Sequence, residues 1–223
     1  MRRAICLVLL MTPLIHPDSL AGSLNEDAIS WYNSGNDAFV IGHYSKAIEY
    51  YQQAVTLDDQ YVEAWSNMGT AYRQLGEYDQ AIEILDKALS INPQDSIAWN
   101  NKGLVYTDQD KYDDALFCFE MALKVNYMQK ESWVNKGVCL INLNRLEEAE
   151  KALNYALGMD AEYGLAMYNL AILAVRKGDT VGMLDWLGKA IAENSHYAKD
   201  ARDDKDFSAY WEDPQFQELV SAK

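Results

Sequence analysis

The sequence predicts an all-α solenoid of helix-turn-helix repeats, and three sets of aligned residues predict it. Trp31, Trp65, Trp99 and Trp133 recur at a period of about 34 residues. Gly35, Gly69, Gly103 and Gly137 follow them one helical turn later. Ala47, Ala81, Ala115 and Ala149, then Ala54, Ala88, Ala122 and Ala156, keep the same register. Such a period marks one supersecondary unit that cannot bury its apolar face alone and stacks on its next copy.

The first element is residues 1–21. Arg2 and Arg3 precede the apolar run Ala4 to Met11, and the segment closes on Ser19-Leu20-Ala21. A positive start, an apolar core too short for a bilayer and a small-x-small end read as a secretory signal peptide. An uncleaved anchor or a buried first helix are the other readings. Cys6 lies too early to be lipidated after cleavage. No later segment approaches the ~20 apolar residues of a membrane helix. The expected protein is therefore exported (periplasmic, extracellular or associated with the cell envelope), with no membrane insertion after cleavage.

Within each repeat, Trp, Gly and an aromatic such as Tyr72 or Tyr106 fall at i, i+4 and i+7, on one face of a first helix. The second helix supplies Ala81 and Ala88 with Leu85 between them, so that large meets small across the pair. Between the helices runs the column Gly42, Gly76, Asp110, Asn144 and Gly178. These residue types tolerate the left-handed conformation that ends a helix.

These residues resemble the tetratricopeptide repeat family. Its pattern of Trp, Leu, Gly and Tyr, then Ala, Phe, Ala and Pro, is matched by Trp65, Met68, Gly69, Tyr72, Ala81, Leu85, Ala88 and Pro93. The next copy carries Trp99, Lys102, Gly103, Tyr106, Ala115, Phe119 and Ala122. The resemblance implies a right-handed α-solenoid over 22–197, with repeats at 28–61, 62–95, 96–129, 130–163 and 164–197. The proline survives only as Pro93, and in the fifth copy Met167, Ala171 and Met183 replace Trp, Gly and Ala. Gly182 and Gly188 each cost about 1 kcal/mol against Ala in a helix, which predicts that the last second helix frays or leans on a neighbour. In mid-array, Trp99→Ala is expected to cost ~3–5 kcal/mol.

Residues 198–223 form the final element. Phe207, Tyr210, Trp211, Phe216, Leu219 and Val220 alternate with charged residues, and Asp213-Pro214 reads as an N-cap followed by the first position of a short helix. Asp206-Phe207 and Asp213-Pro214-Gln215-Phe216 look similar to a tail found after many prokaryotic tetratricopeptide arrays. The segment reads as a helical cap on the fifth repeat, with an aromatic docking segment for a partner as the second reading.

The formal charge of −15 makes nucleic acid and anionic membrane surfaces poor partners and suits solubility or a basic partner. No chemistry is visible: His16, His43 and His196 are scattered, and no Cys or His group has metal spacing. The reading is that of a non-enzyme without catalytic residues, metal or cofactor. Cys118 and Cys139 fall on neighbouring helices, as small buried hydrophobes or as an inter-repeat disulfide.

The resemblance places function on a concave groove lined by the first helices. Carried over copy by copy, it offers Tyr32, Asn36 and Phe39, then Asn67, Thr70 and Arg73, then Asn101 and Leu104. The fourth repeat gives Val134, Asn135, Val138 and Ile141, and the fifth Tyr168, Asn169 and Ile172. The first three repeats are polar there; the last two form an apolar stripe that is either an interaction site or covered by the protein itself. One asparagine per repeat (Asn33, Asn67, Asn101, Asn135, Asn169) offers an amide to a peptide backbone or to the fold. The family's clamp for a C-terminal carboxylate needs basic residues, and Tyr32, Asn36, Asn67, Ile97 and Asn101 stand at its positions instead. The expected function is a scaffold or adaptor that binds a peptide segment of another protein, in cell-envelope assembly. Self-association as a structural protein and a non-catalytic subunit of an envelope enzyme are the alternatives; a glycan receptor would need exposed groove aromatics.

Overall fold

A computed structural model describes residues 25–221, so the signal-peptide reading of 1–21 lies outside the described residues. All regular structure among them is helical. First helices α1 (Glu26–Val40), α3 (Val62–Leu75), α5 (Ser96–Asp108), α7 (Lys130–Asn142) and α9 (Gly164–Lys177) alternate with second helices α2 (Tyr44–Leu57), α4 (Tyr78–Ile91), α6 (Tyr112–Val125), α8 (Leu146–Met159) and α10 (Thr180–Glu193). The tail adds α11 (His196–Asp203), a 3₁₀ turn (Lys205–Tyr210) and α12 (Pro214–Ser221). The chain divides into two compact units between Lys111 and Tyr112.

The turn inside each repeat is set by backbone chemistry. Gly42, Gly76 and Gly178 have φ of 79°, 78° and 74°, and Asp110 and Asn144 both have φ of 58°. At each, the left-handed residue donates to the carbonyl three back and its successor to the carbonyl five back. Gly76 N to Arg73 O and Glu77 N to Tyr72 O, both 3.0 Å, are one pair. This double bond satisfies carbonyls that the helix end leaves open.

The turn between repeats has its own column, one residue before the position of Pro93. Asp58, Asn92, Asn126, Asp160 and Asn194 each accept, through the side-chain oxygen, the backbone N–H two residues on, at 3.0 to 3.2 Å. That is an Asx turn, and it does the work of the missing prolines. The tryptophans clip the same turn. Trp65, Trp99 and Trp133 donate their indole N–H to the carbonyls of Asp59, Pro93 and Tyr127, at 3.0, 3.0 and 2.9 Å. Trp133 is buried, but Trp65 and Trp99 are half-exposed, so the indole serves as much as a turn clip as a core side chain.

In the unit of residues 25–111, the large side chain of each second helix seats on the glycine of the first. A Cβ on Gly35 would stand 2.4 Å from the Tyr51 ring and one on Gly69 2.6 Å from Leu85 Cγ. Buried Ala47 and Ala54, and Ala81 and Ala88, flank these contacts and let the helices close. At the family's leucine position, Lys102 sets its amine over the Trp99 ring, 5.8 Å from the centroid, and pairs it with Asp86 on α4.

The unit of residues 112–221 repeats the scheme, with Leu153 over Gly137 at 2.8 Å from the would-be Cβ. Lys136 likewise reaches Glu120, at 2.9 Å. Despite Gly182 and Gly188, α10 runs unbroken. Its N-cap Asp179 accepts the Gly182 N–H at 2.9 Å, and α12 packs against it, bringing Leu219 to Gly188. Cys118 and Cys139 are buried thiols and are not joined in a disulfide. In the tail, Asp213 accepts the N–H groups of Gln215 and Phe216 at 2.9 and 3.0 Å and so opens α12 at Pro214. Phe207, Phe216 and Val220 are buried, and Arg202 donates to the Val220 carbonyl at 2.9 Å.

Candidate functional site: the first-helix faces

In residues 25–111, α3 lies beside both α1 and α5, and a polar seam joins them. Asn67 Nδ2 donates to Tyr32 Oη and to Asn36 Oδ1, both at 3.1 Å. Asn36 Oδ1 also accepts the Tyr51 hydroxyl at 2.8 Å. One repeat on, Asn101 Nδ2 donates to Ser66 Oγ at 3.3 Å, and Ser66 stands where Tyr32 stands in the first repeat. Asn67 and Asn101 of the asparagine ladder thus tie adjacent repeats, whereas Asn33 is exposed. The buried Asn67 and Asn101 donors are engaged within the chain, which offsets the cost of desolvating them.

Burial raises the Tyr51 hydroxyl far above the ordinary phenol range, with the nearby Tyr32 a further cause, so it stays a hydrogen-bond donor. Arg73 Nε pairs with Asp108 Oδ2 at 2.7 Å, with side-chain exposures of 8% and 22%. The groove's basic candidate is therefore neutralised from within. Tyr32, Asn67, Asn101 and Leu104 are buried with Arg73, whereas Asn36, Phe39 and Thr70 remain half-buried. Phe39 packs in part on the core of this unit and meets the Tyr44 ring edge-on at 5.1 Å between ring centroids.

In residues 112–221 the corresponding face is largely closed, with Val175 half-buried. Val134, Asn135, Val138, Ile141, Tyr168, Asn169 and Ile172 are each at most 1% exposed. Asn169 Nδ2 donates back to the Leu165 carbonyl at 2.9 Å. Over Tyr168 the covering group is the tail. Its ring stacks on Tyr197 at 5.2 Å and takes the Phe207 ring edge-on at 5.6 Å, and its hydroxyl donates to Asp204 Oδ2 at 3.0 Å. Arg176, two turns further along α9, pairs with Asp206 at 2.8 Å. Ser66 stands at a first-helix groove position of the second repeat, whereas sequence reasoning passed over Tyr51, Asp108, Arg176, Asp204 and Asp206. Only Tyr51 carried a signal, as a hydroxyl in a position that holds Leu85, Phe119 and Leu153 in later copies.

Among the described residues no group of three His, Cys, Asp or Glu is placed to hold a metal ion, and no helix is long and apolar enough to cross a membrane.

Repeated helix pairs with left-handed turns, glycine-seated cores and interlocked first helices define a tetratricopeptide-repeat protein. The family profile of the Cilia and flagella-associated protein 70 C-terminal domain matches residues 9–198, and the chain belongs to that tetratricopeptide-repeat family. Among solved structures it is similar to YrrB, described as "a TPR protein with an unusual peptide-binding site". The two share 25% identity over 80% of this chain and 93% of that one, with a TM-score of 0.60. It is also similar to MamA of Desulfovibrio magneticus RS-1 from residue 41 onward, at 22% identity, over 78% and 98% of the two chains, with a TM-score of 0.66. A further MamA crystal structure matches at 19% identity, over 74% and 96%, with a TM-score of 0.62. Comparison with curated protein sequences finds no match.

Proposed function

We propose that the protein is a non-catalytic scaffold that takes a peptide segment of a partner protein on the first-helix face of repeats one to three. The observation that carries this reading is the contrast between the two faces. Around the polar seam of residues 25–111, Asn36, Phe39 and Thr70 keep solvent-facing surface, while Val138, Ile141 and Ile172 at matching positions of residues 112–221 are buried and Val175 is half-buried. Phe39 offers one apolar anchor, the Asn36 amide can donate, and the Thr70 hydroxyl, whose own proton goes to the Ser66 carbonyl at 3.1 Å, can accept, the combination an extended peptide needs. The likeness to YrrB, itself described as having a peptide-binding site, supports a peptide ligand. With Arg73 already paired to Asp108, the ligand is not selected by a carboxylate, and the acidic chain favours a basic or neutral segment.

The N-terminal pattern of Arg2, Arg3 and the Ala4–Met11 run supports export and a place in assembly of the cell envelope. Capture from envelope extract with the protein lacking residues 1–21 tests the reading, run beside Phe39→Ala and Thr70→Arg. A protein retained by the parent and lost by both variants, at unchanged circular dichroism, supports the scaffold. Equal retention moves the site to the acidic outer face. Retention of the chain alone, with a light-scattering mass above the monomer, favours self-association. Val138→Asp is unsuited to this test, because a carboxylate in that buried position would unfold the unit.

A further inference from the structure

We infer that residues 204–210 are an internal ligand, and that the α9 surface beneath them is a binding site for an acidic-aromatic peptide segment, filled in cis by the tail. The segment docks as a short linear motif docks, through few contacts of high specificity. It contributes one buried ring, Phe207, and two carboxylates, Asp204 and Asp206, from a single 3₁₀ turn. The groups that receive its ring and carboxylates are on α9, the Tyr168 ring and hydroxyl and the Arg176 guanidinium, while Phe216 of α12 flanks Phe207 at 5.9 Å and Thr180 of α10 meets the Tyr210 hydroxyl at 3.3 Å. Tyr168 takes the Phe207 ring edge-on at 5.6 Å and donates to Asp204 at 3.0 Å, while Arg176 holds Asp206 at 2.8 Å. The three contacts read Asp-x-Asp-Phe along the bound strand, and a guanidinium beside an aromatic face is the pairing that acidic-aromatic peptides meet.

The segment is also built to leave. Lys205, Ser208 and Ala209 face solvent, so one side of it is unattached. The helix that follows it, α12, has eight residues, too short to persist without docking. Tyr197 would stay stacked on Tyr168 if residues 204–221 lifted, leaving a floor for an incoming ring. An incoming peptide would compete with a tail at high effective concentration, so the site is silent until the tail is displaced.

The biological use of the site rests on the peptide-scaffold reading, but the exchange itself requires no outside partner. The probe is a fluorescein-labelled peptide of residues 202–212, added to the full chain and read by anisotropy, with a scrambled peptide as control. Phe207→Ala weakens the internal ligand and should bind the probe at least tenfold more tightly than the parent. Adding Arg176→Ala to that variant should return binding to the parental level. Equal binding by the parent and Phe207→Ala overturns the proposal. If Phe207→Ala does not fold, Asp206→Asn replaces it, with the ring in place and the ion pair to Arg176 lost. Hydrogen exchange of the parent provides an independent reading: amides of residues 204–210 should exchange at least tenfold faster than those of α9. Equal rates in the two segments would mean that the tail opens only with the whole unit, and would sink the idea. A failed exchange would leave capture on repeats one to three untouched, and failed capture there would leave the exchange intact.

Discussion

A Cβ on Gly69 would stand 2.6 Å from Leu85 Cγ and 3.3 Å from the Ala81 carbonyl oxygen. The close approach of α3 and α4 is made by that missing atom. Alanine has the better helix propensity by about 1 kcal/mol, but here it forces Leu85 off its seat against backbone that cannot yield. Gly69→Ala should therefore destabilise by about 1–3 kcal/mol. Gly158, in α8, would meet nothing within 4 Å, so Gly158→Ala should stabilise by about 0.5–1 kcal/mol. Urea midpoints of the two variants would separate them, and the same sign for both would mean that packing does not decide the column.

That column also marks how much was legible beforehand. The left-handed turn at Asp110 and Asn144 was readable, because few side chains tolerate positive φ and the register put them beside Gly42, Gly76 and Gly178. The Asp213 cap was readable because its signal is local. The fate of the first-helix face was not. Periodicity says which side of α9 is apolar but not what lies on it, and the Asp204 that meets Tyr168 stands 36 residues away, beyond the last repeat. The asparagine ladder was ambiguous for a related reason. Asn67 reaches its partners 31 and 35 residues back, and the same spacing would serve an amide facing a ligand.

The tryptophan column yields a second prediction. Trp99 packs half-exposed against the Ala81, Leu85, Ala88, Leu89, Ala98 and Val105 cluster, and its N–H is bonded to Pro93. Half-burial lowers the expected cost of Trp99→Ala from a full-core value to about 2–3 kcal/mol. Trp99→Phe keeps a ring on the cluster and loses the clip, so about 1 kcal/mol of the total should appear with phenylalanine alone. Thermal unfolding of both variants checks the split; no difference between them would mean that the N–H bond, and not the ring, carries the effect.

The Asx column can be tested where proline is present beside it. Asn92 accepts the Gln94 N–H at 3.0 Å. Asn92→Asp keeps that acceptor and should be near neutral, whereas Asn92→Ala should cost about 1 kcal/mol. Equal denaturation midpoints for the two substitutions would assign the turn to Pro93 alone.

Asp204 gives the unit of residues 112–221 a pH dependence of known sign. Its carboxyl faces the Tyr168 hydroxyl on α9, Asp206 in its own turn and Asp200 on α11. Burial pushes its pKa above the ordinary carboxylate range, opposed by the Asp206 N–H and the Tyr168 hydroxyl and assisted by the two acidic neighbours. The folded tail thus holds a proton that the unfolded chain has already released. Stability must fall as pH rises from the unfolded carboxylate value through the folded one, and level off above it. Inside that window the slope for one proton is at most about 1.4 kcal/mol per pH unit. Asp95, in the other unit, is raised by burial too and adds a slope of the same sign, so the parent alone is not diagnostic. The difference between the parent and Asp204→Asn is, since asparagine can still accept from Tyr168. Urea midpoints measured from pH 4 to pH 7 should converge for the two proteins at the acid end and separate as pH rises, with the variant the more stable. Parallel curves would show that Asp204 does not titrate in this range, and the burial argument for its carboxyl would have to be abandoned.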